Sequence, residues 1–301
     1  MIKTLRLTRQ FVLFFIIALS ATFAQSQENS TPPNKGFLWQ ISDNNSKVYL
    51  LGSVHFANAD YYPMSQAIEQ AFAASNTLVV ELDASSLDPL KTQQLIQQMG
   101  SYQDGRTLQE ELKPETYRKL EAYLARQSIP THLVNAQKPG MLIMTLTSME
   151  LMKLGMLPQF GIDLHFLTRA KGKKGIEELE TLEQQLDLLL NMDNPDLAMQ
   201  QTLEEFPHFP ELSAQLFKAW QTGDTTIMQQ LLIDEPLQKY PESKPYFDKM
   251  FTERNISMAK KVEGFLGNNK TAFVIVGAGH LIGQDGVIHL LKEKGFKVER
   301  Q

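Results

Sequence analysis

Two stretches of this chain repeat one arrangement of residues that could hold a metal ion or move a proton. Val48–His55, VYLLGSVH, and Phe273–His280, FVIVGAGH, each run as an apolar strand into Gly-x-x-His. A helix and a closing strand follow each, TLVVEL after the first and FKVER after the second, with Glu81 and Glu299 each following a Val. Glu81 sharpens the case. It sits in VVELD on a strand otherwise suited to burial, and a buried carboxylate must be paired, hydrogen-bonded or metal-bound. Two neutral imidazoles and a carboxylate form a usual ligand set for Zn²⁺ or a comparable divalent ion, with positions left open for water. Such an ion lowers the pKa of bound water and polarises a carbonyl. The carboxylate can instead stand beside the ion as general base. The plainer reading is a hydrogen-bonded histidine at each strand end and a Glu81 that is salt-bridged or already faces water. Gly-x-x-His alone is a weak signal: Gly286–His289 also matches, within an expected helix and with no strand before it.

Other candidates carry less. Asp163 and His165 lie in GIDLHF at an expected helix start, where an Asp favours the helix dipole. Two residues apart, they do not project on one face. Glu178 and Glu180 in ELET read as a capping cluster before Thr181, and Arg254 and Asn255 in ERN as residues of a helix making surface contacts. His132 and His208 lie beside turn residues. The Met-rich stretch Met141–Met156 has helical spacing, which favours a core helix over soft-metal binding.

Elements must bring these residues together. The chain reads as β at both ends and α in the middle. Phe37–Ile41 and Lys47–Leu51 flank Asp43–Ser46 as a hairpin. A helix over Met64–Ala74 and a strand over Thr77–Leu82 follow. Helices begin near Pro89, Pro114 and Pro139. Another covers Gly161–Lys171, a short strand Lys174–Leu179, and helices Thr181–Leu190 and most of 195–265. Thr271–Val276 is a buried-type strand, Gly286–Lys294 a helix and Phe296–Arg300 a last strand. The expected fold class is α/β (mixed α+β): duplicated strand–Gly-x-x-His–helix–strand units form a central sheet, with a large helical insertion between them. Residues 36–301 make a single domain, its core 37–83 and 270–301, with 84–265 as a lid or wall. Strand–helix–strand units favour right-handed crossover within one sheet, and ligands of open α/β sheets sit off the carboxyl ends of strands. Gly52 and Gly277 fall at those ends, where glycine permits a sharp turn. His55 and His280 could then converge, although more than two hundred residues separate them.

Composition bounds the function. The 301 residues hold 29 Lys+Arg against 34 Asp+Glu, a net charge of -5, which argues against nucleic acid as a partner. The chain has no Cys, which excludes disulfides, thiolate zinc sites, iron–sulfur clusters, a cysteine nucleophile and a lipidated cysteine anchor. Neither an HExxH helix nor a Gly-x-Ser-x-Gly elbow occurs. Lys3, Arg6 and Arg9 precede the apolar run Phe11–Ala24 and then polar Gln25-Ser26-Gln27. That is the pattern of a cleaved signal peptide over 1–24, the apolar run being shorter than the roughly twenty residues that span a bilayer. Residues 25–35 read as a disordered lead-in. The expected location is periplasmic or secreted, with no stable membrane span after signal cleavage.

LWQISDNNSKVYLLGSVHFA followed by TLVVELD resembles the opening motif of the TraB/GumN family, which is related to the Tiki metalloproteases. GIDLHFLTRAKGKK, ELETLEQQL, ERNISMAKK and FVIVGAGHLIGQDGVIHLL resemble its later blocks in the same order, over roughly residues 37–300. The resemblance implies an active centre of His55, His280 and Glu81, with Arg254 and Asn255 in support; Asp163, His165 and Glu180 lie in or beside its other blocks. It further implies a divalent metal (Zn, Mn or Co) and a peptide or secreted protein as substrate, since Tiki proteins are described as metal-dependent proteases of secreted signalling proteins. Other branches are linked to pheromone shutdown or exopolysaccharide gene clusters, and the wider group is likened to erythromycin esterase and haem-binding ChaN-like folds. The expected function is a secreted or periplasmic metal-dependent hydrolase, peptidase-like. The alternatives are a non-catalytic binder of haem, metal or polysaccharide, and an accessory factor for envelope export.

Overall fold

The computed structural model describes residues 35–42, 46–266 and 271–301. The expected signal peptide, all but the last residue of the lead-in, and the turn residues 43–45 lie outside the described residues. The described chain builds a six-stranded sheet from β1 (Phe37–Ser42), β2 (Lys47–Ser53), β3 (Thr77–Val80), β4 (Gly175–Glu178), β5 (Thr271–Gly277) and β6 (Lys297–Arg300). Their order across the sheet is β4-β3-β5-β2-β1-β6. β2, β3, β4 and β5 run parallel, and β1 is antiparallel to both its neighbours. β1 and β2 pair as the hairpin partners expected, from Phe37 opposite Gly52 to Ser42 opposite Lys47.

β5 lies between β3 and β2, and Ala272–Val276 are all buried. A continuous apolar run is what a parallel strand covered on both faces requires. Helices Gln66–Ala74 and Ile162–Ala170 send Phe72 and Phe166 onto Phe273, the ring centroids lying 5.5 and 5.1 Å from it. The segment 84–265 is helical apart from β4, the short strand expected near 174–179, which forms one edge of the sheet. This segment also holds a second apolar core, in which Leu120, Leu124, Leu142, Leu146 and Met199 are fully buried.

Three local expectations change. β3 stops at Val80, so Glu81 is the first residue beyond the strand. Glu299 is not its counterpart: it lies on the edge strand β6 and pairs with Lys297 at 2.8 Å. In the helix Pro139–Lys153 the buried side chains beyond Pro139 are Leu142 and Leu146, while Met141, Met144, Met149 and Met152 are only half-buried.

Candidate active site

The two Gly-x-x-His copies end neighbouring parallel strands. β2 and β5 are paired with Gly52 opposite Val276 and Ser53 opposite Gly277. His55 and His280 therefore follow adjacent carboxyl ends, and Glu81 follows β3 on the far side of β5. The glycines serve close approach more than sharp turning. A Cβ on Gly52 would lie 3.0 Å from the Ala278 Cα, and one on Gly161 only 2.4 Å from the His55 carbonyl oxygen. Helix Ile162–Ala170 is thereby seated against the His55 segment, and the Ile162 N–H donates to the Val54 carbonyl at 3.0 Å.

Glu81 is buried within a charged network. Its Oε1 accepts the Gly277 N–H at 2.6 Å, and its Oε2 accepts from Arg254 Nη2 at 2.9 Å and Gln185 Nε2 at 3.3 Å. Glu180 lies beside it because the Glu180 N–H donates to the Glu81 carbonyl, continuing the β3–β4 pairing. Arg254 grips Glu180 through Nε and Nη2, both at 2.7 Å. Burial works to lower the Arg254 pKa, but Glu180 and Glu81 hold it above the ordinary value. Burial likewise works to raise that of Glu180, while Arg254 and Gln185 hold it below. Arg254 is thus an inward residue, not a surface contact. Glu180 is its partner, and the capping of helix Leu182–Leu190 falls to Thr181 and Gln184.

His280 is 4% exposed, and Phe251 packs on its ring with centroids 5.2 Å apart. Asn255 Nδ2 donates to the Asp285 carbonyl at 2.8 Å, which turns its Oδ1 toward His280 Nδ1 at 2.6 Å. That amide orientation assigns the proton to Nδ1. Burial, reinforced by Arg254, pushes the His280 pKa down to about 4 against the pull of Glu81 and Glu180. Its Nε2 then presents a lone pair, 3.9 Å from Glu81 Oε1. That separation is too long for a hydrogen bond.

His55 stands in contrast. Its side chain is 65% exposed. Its Nδ1 meets Asp163 Oδ2 at 3.0 Å, and Ser53 Oγ donates to Asp163 Oδ1 at 2.7 Å. The Asp163 charge raises the His55 pKa to about 9 against the opposing effect of burial. Asp163 itself is held below the usual carboxylate range by His55 and Ser53, against burial. The fields of Glu81 and Arg254 reach His55, and that of His55 reaches His280, so the three candidates occupy one electrostatic neighbourhood.

His165 belongs elsewhere. Its Nε2 meets Arg169 Nη1 at 3.0 Å, Arg169 grips Glu69 at 2.7 and 3.0 Å, and the Tyr62 ring lies 4.5 Å away, centroid to centroid. Burial and Arg169 lower its pKa to about 4. This cluster fastens helix Ile162–Ala170 to helix Gln66–Ala74. His289 pairs with Glu293 at 3.5 Å on an outer helix.

Residues 37–300 match the TraB/PrgY/gumN family. The chain belongs to that family. The uncharacterized protein YbaP of Escherichia coli (strain K12) is 24% identical over 255 residues, covering 82% of this chain and 89% of YbaP. Metalloprotease TIKI2 of Xenopus tropicalis is 26% identical over 321 residues, covering 87% of this chain and 59% of that protein. Metalloprotease TIKI1 of Danio rerio is 25% identical, with coverages of 87% and 62%. No solved structure matches the chain.

The name metalloprotease raises the question of an ion. Among the described residues no three His, Asp or Glu side chains form a ready ligand set; His55 is turned to Asp163, and Glu81 is engaged with Arg254 and Gly277. The donor chemistry nevertheless suits a divalent cation. Each histidine has its Nδ1 tied to an orienting partner, the usual arrangement for metal-ligating imidazoles; His280 thereby keeps a lone pair on Nε2, while at His55 an ion would have to displace the Nε2 proton. Glu81, Glu180 and Arg254 together carry one net negative charge. Ser53 and Gln185 are site residues that sequence reasoning did not single out.

Proposed function

We propose that this protein is a divalent-metal-dependent hydrolase of peptide bonds that works outside the cytoplasm. The observation that carries the reading is the closeness of two acceptor atoms, His280 Nε2 and Glu81 Oε1 at 3.9 Å, with a His55 whose Nδ1 is likewise tied back. The metalloprotease names among the relatives support it. His55 and His280 would hold the ion through Nε2, with Glu81 at its side. A bound Zn, Mn or Co ion would polarise the scissile carbonyl and acidify a water. Glu81 takes a proton from the attacking water as its oxygen bonds to the carbonyl carbon. As the C–N bond breaks, Glu81 returns that proton to the leaving amine. Arg254 and Gln185 keep the Glu81 carboxylate in one orientation, and Asn255 keeps His280 in the tautomer that accepts at Nε2. The open face of His55 suits an extended peptide or secreted-protein segment.

The test uses purified protein loaded with Mn²⁺, Co²⁺ or Zn²⁺ against a peptide pool, with fragments read by mass spectrometry. His55→Ala and His280→Ala should each lose metal and turnover; the melting temperature should stay within a few degrees of wild type for the exposed His55 and fall further for the buried His280. Glu81→Gln keeps the shape and removes the charge; it should retain metal and lose turnover by on the order of 10²-fold or more. Metal bound with no fragment from any pool would overturn the hydrolase reading in favour of a binding role, which the full engagement of Glu81 with Arg254, Gln185 and Gly277 would also suit.

A further inference from the structure

Ser53 is the last residue of β2 and is 2% exposed. His55 comes two residues later, where the chain bends beyond the strand end. Both reach a single carboxylate on another element: Ser53 Oγ donates to Asp163 Oδ1 at 2.7 Å and His55 Nδ1 donates to Oδ2 at 3.0 Å. We propose that Ser53 is a positioning residue for His55, acting through Asp163.

The physical reason lies in the torsion of the acid. The terminal χ2 of an Asp is broad, so an Asp163 bonded only to His55 could swing and let the ring turn with it. A second bond from a buried strand residue pins one oxygen and thereby aims the other. Asp163 then fixes the imidazole with Nδ1 inward and Nε2 outward, as carboxylates behind ligating histidines do. The other copy solves the same problem differently. Gly277-Ala278-Gly279-His280 carries Ala278 where Gly52-Ser53-Val54-His55 carries Ser53. There the ring is held by the Asn255 amide, pinned in turn by the Asp285 carbonyl. A charged orienter comes with a hydroxyl anchor and a neutral one with a backbone anchor.

A merely structural Ser53 would satisfy a half-buried carboxylate and do nothing for His55. Imidazole ¹⁵N shifts separate the two roles. They are recorded on chelator-treated protein and followed upward in pH until each ring is neutral. Wild-type His55 should keep its proton on Nδ1. In Ser53→Ala it should divide between both nitrogens, while His280 stays as in wild type and serves as the internal control. Co²⁺ titration should show affinity lowered on the order of 10-fold in Ser53→Ala and at least as much in Asp163→Asn. The double variant should be no weaker than Asp163→Asn alone, because Ser53 acts only through Asp163. An unchanged His55 tautomer in Ser53→Ala, or losses that add in the double variant, would overturn the assignment. The affinity arm rests on His55 being a ligand, but the shifts need neither metal nor substrate. A wild type that hydrolyses nothing would sink the hydrolase reading and leave this one standing.

Discussion

The two histidines of the repeated motif differ because their partners differ. Asp163 is an anion and raises His55; burial dominates at His280, whose partner Asn255 is neutral. Opposite pH dependences follow. Between the unfolded value of 6.5 and about 4, an unfolded chain binds a proton at His280 that the folded protein refuses. The stability His280 permits is therefore full above 6.5 and falls as pH drops toward 4, by up to about 3 kcal/mol. At His55 the folded pKa lies above the unfolded one, so its contribution is full below 6.5 and is lost as pH rises through about 9. Its exposed ring makes that contribution small. Chelator-treated wild type should lose melting temperature between pH 6.5 and 4, and His280→Gln should lose clearly less. His165, with a similar lowered pKa, and the carboxylates held low, Asp163 and Glu180 among them, contribute to the remaining slope; equal losses in wild type and His280→Gln would remove His280 as a source. Glu81 stands out in the sequence as an acid within an apolar run, whereas Asp163 and Glu180 read there as helix-start residues and Arg254 and Asn255 as surface ones. Which of them meet does not stand out, because the pairings cross long intervals: Ser53 to Asp163, and Gln185 to Glu81. Ser53 carries no signal of its own, since a serine at a strand end is ordinary.

At the level of elements, the helix Pro139–Lys153 shows where periodicity stops informing. It is apolar around most of its circumference, so no polar stripe marks the outward side. Spacing alone makes Met144 and Leu151 as good core candidates as Leu142 and Leu146, yet the structure buries only the latter pair. Leu146→Ala should lower stability by about 2–5 kcal/mol, as a fully buried leucine does. Met144→Ala should cost clearly less, and neither should alter metal bound per folded molecule. Urea unfolding with metal analysis checks both, and a Met144→Ala cost equal to that of Leu146→Ala would contradict the burial pattern. Two π-helical turns, Gln230–Asp234 and Asp248–Thr252, were equally illegible: one extra residue in a helical ladder leaves no compositional trace. The second runs directly into helix Glu253–Glu263, which supplies Arg254 and Asn255.

The whole molecule joins its ends. β1 and β2 come from one end of the described chain and β5 and β6 from the other, yet they are neighbours in one sheet. The β-branched and apolar runs VYLL, LVV and AFVIV made these strands readable before any pairing was known. Their order was not readable, since apolar runs carry no label for their neighbours; only the repeated motif hinted that β2 and β5 are equivalent. No helix among the described residues is long and apolar enough to cross a membrane. A fusion of residues 1–30 to a reporter active only outside the cytoplasm should be active, and the mature chain should begin near Gln25. Recovery of the full-length chain from the cytoplasm alone would exclude export.

Trp220 is the largest fully buried side chain, and its indole N–H donates to the Gly52 carbonyl at 2.8 Å. It comes from helix Phe209–Thr222 and touches the strand end that leads into His55. The chain has two tryptophans, the other being Trp39 on β1. A Trp39→Phe protein would carry a single fluorophore, shielded from water and wired by one hydrogen bond to the Gly-x-x-His turn. Its emission should lie well to the blue of free indole. Any event that shifts the Gly52 carbonyl should change its intensity, so the protein carries its own optical gauge of what happens at His55.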